Sequence, residues 1–212
     1  MKTTTKYTIK IAGAAIFGAL SIVFYALIVP FIPRIPGWGL AYIDPVSIIW
    51  VLCFFIFGTV AGLICTGIGT IALFFLDPLT PVGPIMKLIA TLPMILIPVV
   101  MMKIKKSWEF SSKTLVSKKL IYMTGVAILI RIPLMIGMNI LAFEVLFGVF
   151  FPEYGVTSVD AAAYMWPIPG ISNGLLIVLI VVSIINSMQG LWDILVPFLL
   201  FKPTTLVNYA QW

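Results

Sequence analysis

The stretch Val46-Ser-Ile-Ile-Trp-Val-Leu-Cys-Phe-Phe-Ile-Phe-Gly58-Thr-Val-Ala-Gly62-Leu-Ile-Cys-Thr-Gly-Ile-Gly-Thr-Ile-Ala-Leu-Phe-Phe-Leu76 contains no charged residue. It reads either as one long helix or as two short ones meeting around Gly58–Gly62. Charge on either side decides. Cytoplasmic loops of membrane proteins collect Lys and Arg, and two segments here are strongly basic: the N-terminal tip (Lys2, Lys6, Lys10) and the segment from Lys103 to Lys119. An even number of crossings must separate them. One helix over 46–76 gives three crossings and leaves six lysines outside; two helices give four and put every basic cluster on one side.

Composition supports a membrane reading throughout. The chain has 212 residues, 62% hydrophobic and only 9% charged, with a mean hydropathy of +1.19. Soluble domains sit nearer ~45–50% apolar and ~25% charged, and a chain this poor in charge has no shell to cover its apolar surface. Further apolar runs lie at Ile9–Phe31, Pro84–Met102, Leu120–Phe151 and Ile171–Phe201, each long enough for a hydrocarbon core of roughly 30 Å. The first run is expected to be a membrane helix rather than a signal peptide, since no small-residue cleavage site follows it. There is no internal repeat and no low-complexity tract.

The expectation is therefore an all-α integral membrane protein, a single domain over 1–212 with six transmembrane helices and both termini cytoplasmic. The helices fall near 8–31, 45–58, 60–76, 84–103, 119–143 (or on to 151) and 171–202 (whole, or broken near 185). The last two runs exceed what a crossing needs: either both project outward as a hairpin, or part of 145–185 forms a separate interfacial or re-entrant piece. The outer loops then hold Asp44, Asp77, Glu153 and Asp160, with Arg34 as their clear positive charge. The net charge of +6 follows from orientation and implies no nucleic-acid partner. Absence of His removes the commonest metal ligand and acid–base group; no catalytic residue, metal site or covalently bound cofactor is expected. Cys53 and Cys65 both lie in apolar runs and read as small hydrophobes.

Ionisable groups within membrane helices are costly and default to functional candidates. Here they are Lys87, Arg131, Glu144 and Asp193, beside the amides Asn139, Asn173, Asn186 and Gln189. Lys87 reads as a snorkelling lysine or a pocket residue. Arg131 sits near mid-depth of its helix, with Asn139 two turns further on the same face. Asn186, Gln189 and Asp193 share one stripe, and Asp193 is either a pocket charge or the counter-ion of Arg131. The segment Pro30–Pro45 is too rich in Pro and Gly for helix; Trp38 and Tyr42 make it an aromatic lid or an interfacial anchor. Ala15 and Ala19, four apart on the first helix, present a small-residue face that a second helix can approach, either from this chain or from a partner.

As a set these features resemble the substrate-binding S components of energy-coupling factor (ECF) vitamin transporters, riboflavin-type members above all. The similarity rests on Ala15-x-x-x-Ala19, on Leu40-Ala-Tyr-Ile-Asp-Pro-Val-Ser47, on the turn Pro81-Val-Gly83, on Arg131-x-x-x-Met135-x-x-x-Asn139 and on Asn186-Ser-Met-Gln-Gly190. Lys87 stands where those proteins tend to have Asn, and Gln189 where they have Lys. The resemblance implies a high-affinity importer subunit in a prokaryotic plasma membrane. It would capture a vitamin, riboflavin or a related flavin first, from outside and dock on a T component carrying two cytoplasmic ATPases. It places the ligand beneath Trp38 and Tyr42, among Asp44, Lys87, Asn139, Asn186 and Gln189, and gives Ala15 and Ala19 the contact with the T component. No G-x-x-x-x-G-K-[ST] motif occurs in the chain, so ATP chemistry would lie on other subunits. A self-contained secondary transporter or channel for a small organic solute is the competing class.

Overall fold

The computed structural model describes residues 3–35, 40–105, 108–109, 111–115 and 117–202. The described residues form an all-helical protein: α1 (Thr3–Leu27), α2 (Pro45–Leu76), α3 (Val82–Ile104), α4 (Ser112–Leu115), α5 (Lys119–Leu141), α6 (Phe147–Phe150), α7 (Ala161–Met165) and α8 (Gly174–Phe201). Among the described residues, five helical stretches are long and apolar enough to cross a bilayer: Tyr7–Phe31, Pro45–Leu76, Val82–Ile104, Lys119–Phe150 and Gly174–Phe201. The protein is membrane-embedded.

The decisive stretch is not one straight helix. α2 is broken at Gly58, whose φ of 82° and ψ of −174° belong to a region that only glycine occupies without strain. The two limbs, 45–57 and 59–76, fold back on each other, and glycines make the contact. A Cβ on Gly62 would fall 2.7 Å from Phe54 Cβ, and one on Gly69 would fall 2.4 Å from Trp50 Nε1. Cys53 Sγ lies 3.6 Å from the carbonyl of Ala61 across the same seam. The first limb covers only about 20 Å at 1.5 Å per residue, so its start at Asp44 is sunk into the bundle.

α1 lies along this hairpin. Gly13 and Gly18 abut Phe57 and Ile68, close enough that a Cβ would fall 2.7 and 2.9 Å away. Ser21 donates to Gly18 O (2.7 Å) and accepts from Trp50 Nε1 (3.0 Å). Ala14 is buried with them, whereas Ala15 and Ala19 are exposed on the opposite side.

Two apolar clusters mark the ends of the bundle. One gathers Phe54 and Phe55 of the first limb, Val99 of α3, Leu115 of α4, Met123 of α5 and Phe201 of α8; Phe55 and Phe201 meet edge to face with centroids 6.0 Å apart. Beside this cluster lie Lys103, Lys105, Lys113, Lys118, Lys119 and Lys202, with Trp108 held under Lys105 (4.8 Å) and Lys119 (5.5 Å). The other cluster joins Ile35, Ala90, Met135, Phe143 and Ile177. The acidic residues Asp44, Asp77, Glu153 and Asp160 belong to the segments at this end.

The two overlong runs find their explanation here. α5 continues through a π-helical turn, Ala142–Leu146, into α6, so the helix projects beyond a single crossing. Residues 151–173 then form a separate cap containing α7, which packs on α8. Glu144 Oε1 accepts from Val159 N at 2.8 Å, and a Cβ on Gly174 would fall 2.4 Å from Val159 O. α8 is capped by Asn173, which accepts from Leu176 N at 2.9 Å, and it runs unbroken through Ile185.

Candidate ligand-binding site

α5 and α8 bring their polar residues together at mid-length. Positions 186, 189 and 193 share a face of α8 because three- and four-residue steps return to one side of a helix. Arg131 reaches across from α5 and engages all three. Its Nε donates to Asn186 Oδ1 at 3.0 Å, its Nη2 to Gln189 Oε1 at 2.8 Å, and its Nη1 to Asp193 Oδ2 at 2.5 Å. Asp193 Oδ1 accepts from Ser47 on the first limb of α2, at 2.5 Å. Arg131 is 1% exposed and Asp193 fully buried, so each is the other's compensation in a medium where a lone ion is unaffordable. Asp193 is thus the counter-ion of Arg131.

The segment before α2 descends onto this network. Its backbone doubles back, with Ile35 N donating to Leu40 O (2.8 Å) and Tyr42 N to Pro33 O (3.4 Å). Two polar ties hold it down. Ala41 O accepts from Gln189 Nε2 at 2.5 Å, and the Asp44 carboxylate pairs with Lys87 of α3. Asp44 also caps the first limb, its Oδ1 accepting from Val46 N at 3.1 Å. Irregular backbone at membrane depth is tolerated where protein covers it or where it lines a cavity.

Here it lines one. A cavity of about 130 Å³ opens beneath the segment, and Asp44, Lys87, Arg131, Asn139, Asn186 and Gln189 all contribute to its wall. No protein family, curated protein or solved structure matches the chain.

Several expected roles shift. Lys87 and Gln189, expected to meet a ligand, each spend one hydrogen bond on the descending segment. Asn139 lines the cavity but turns its Nδ2 back to Met135 O of its own helix, at 2.8 Å. Tyr42 is not part of the lining; it packs into the apolar cluster with Ile35. Trp38 lies outside the described residues. Ser47, Tyr25, Arg34 and Asp77 were not anticipated. The last three lie together at the cavity's edge, with the Tyr25 hydroxyl beside Asp77 and Arg34. Arg34 had a signal, as the outer loops' clear positive charge. Ser47 had none, because a serine in a membrane helix ordinarily bonds back to its own carbonyls, and Ser47 also lies 3.0 Å from the carbonyl of Asp44.

Proposed function

We propose that this chain is the substrate-binding subunit of an ECF-type importer, capturing a small vitamin-like solute and passing it to a T component energised by two cytoplasmic ATPases. The observation that carries this reading is the cavity itself, a polar-lined space closed by a non-helical segment that reaches mid-bundle from the acidic end. Fixed polar groups in an otherwise apolar cavity confer orientation and specificity on a ligand. The basic end, with Lys103 to Lys119 and Lys202, faces the cytoplasm by the positive-inside rule. With both limbs of α2 counted as crossings, the chain passes the membrane six times, and the cavity opens to the outside of a prokaryotic plasma membrane.

Asp193 weakens the competing reading as a self-contained transporter. A proton-coupled carrier needs a carboxylate free to change its partner, and this one is held by Arg131 and Ser47. Affinity purification of the chain from its native membrane is expected to bring down a T component with two ATPase subunits. Uptake into liposomes by the chain alone, with no ATPase in the native preparation, would instead establish the self-contained carrier.

Orientation has its own test. On a background with Cys53 and Cys65 replaced by Ala, Lys113→Cys should resist a membrane-impermeant thiol reagent in intact cells and react after permeabilisation. Labelling from outside would invert the proposed orientation.

A further inference from the structure

We propose that the cavity takes a small, neutral, acceptor-rich compound, in preference to a flavin or an anionic acid. This rests on the binding-subunit reading above and names the class of its ligand.

Size comes first. The cavity volume of about 130 Å³ lies below the roughly 300–1,000 Å³ of sites for drug-sized ligands. The fused tricycle and ribityl chain of riboflavin exceed that cavity volume.

Hydrogen-bonding capacity comes second. A guanidinium carries five N–H donors and an ammonium three. Arg131 spends one each on Asn186, Gln189 and Asp193, and Lys87 spends one on Asp44. Both residues line the cavity and retain donors. The nearby carboxylates are already engaged: Asp44 by Val46 N and Lys87, Asp193 by Ser47 and Arg131, and Asp77 by Leu79 N. What the cavity has left to offer is therefore mainly N–H, and buried N–H without an acceptor is costly. A ligand rich in carbonyl oxygens or ring nitrogens answers this need.

Charge decides between a neutral acceptor and an anion. The lining cations Arg34, Lys87 and Arg131 are matched by Asp44, Asp77 and, directly behind Arg131, Asp193. The wall is neutral before any ligand arrives. A carboxylate would satisfy the same donors but bring an uncompensated charge into a poorly solvated space, whereas an amide or imide brings none.

The test uses the full chain purified in detergent and a panel of one- and two-ring heterocyclic amides and imides. Nicotinamide and uracil are in the panel; each amide is paired with its isosteric acid (nicotinate for nicotinamide), and riboflavin is added as the large probe. Thermal shift and equilibrium binding are read for each. We expect stabilisation in the neutral arm, at least tenfold weaker binding of each paired acid, and no response to riboflavin. Equal or tighter binding of the acids overturns the charge argument, and tight binding of riboflavin overturns the size argument. Either result leaves the binding-subunit reading intact. Silence in every arm from a folded chain counts against both.

Discussion

Replacing Arg131 by Met is expected to destabilise the protein by about 3–5 kcal/mol, the usual cost of stripping one partner from a buried ion pair. Asp193, fully buried, would be left with Ser47 as its remaining hydrogen-bond donor, and Asn186 and Gln189 would each lose the donor that occupies their side-chain oxygen. Asp193→Leu should cost a similar amount by stranding the guanidinium. The double variant Arg131→Met/Asp193→Leu removes both charges while roughly conserving volume. It should recover most of the loss, since a well-packed apolar pair is often as stable as the ion pair it replaces. Thermal unfolding of the four proteins in one detergent gives the coupling directly. A double variant no more stable than either single would mean that the remaining hydrogen bonds, not the charge pair, carry the stability. Ligand binding should stay lost in the rescued double variant, because the Arg131 donors are gone from the cavity. Folding and recognition then separate in one experiment.

Of that network the Arg131–Asp193 pair was legible in the sequence, whereas Asn186 and Gln189 were expected to face a ligand rather than Arg131. Polar residues are so few in these helices that the partners of Arg131 could be drawn only from a short list, and the spacing of 186, 189 and 193 placed three of them on one stripe. The break in α2 was legible for a related reason: the distribution of lysines required an even crossing number, and Gly58 stood where a break could form. The route of residues 28–35 and 40–44 was not legible. Pro and Gly announce irregular backbone without fixing its path, and the depth of Asp44 depends on the shortness of the limb that follows it. The ion pair with Lys87 was therefore hidden, and with it the reason a lysine lies in that wall. Tyr42 illustrates the same limit, since a loop aromatic can turn to the cavity or to the apolar cluster and only the backbone decides. Ser47 was hidden by chemistry: Thr66 and Ser183 bond to the carbonyls of Gly62 and Leu179 four residues back, Ser47 is likewise within reach of the Asp44 carbonyl, and nothing in the sequence marks its added reach to Asp193.

Ala15→Trp and Ala19→Trp should sharply reduce solute uptake in cells while leaving the isolated protein folded and able to bind. The structure divides the small residues of α1 into two faces. Gly13, Ala14 and Gly18 are buried, the glycines against Phe57 and Ile68 of α2, whereas Ala15 and Ala19 are exposed. Small side chains four apart leave a shallow groove into which a second helix can pack closely. Within this chain α2 takes the other face of α1, which leaves the groove to the proposed T component. Both positions are exposed, so stability should change by no more than about 0.5 kcal/mol, as for other exposed positions. In the assembled importer it would hold the two helices apart, because packed surfaces accommodate added bulk poorly; uptake should fall on the order of a hundredfold, equivalent to about 2.7 kcal/mol of lost docking. Gly18→Leu is the control. Its Cβ would fall 2.9 Å from Ile68, and it should damage folding, binding and uptake together. If Ala15→Trp behaves like Gly18→Leu, the outward face is structural and the coupling role fails. If both Trp variants bind, assemble with the ATPases and transport as the parent does, α1 is not the docking helix, and the partner must approach another face of the bundle.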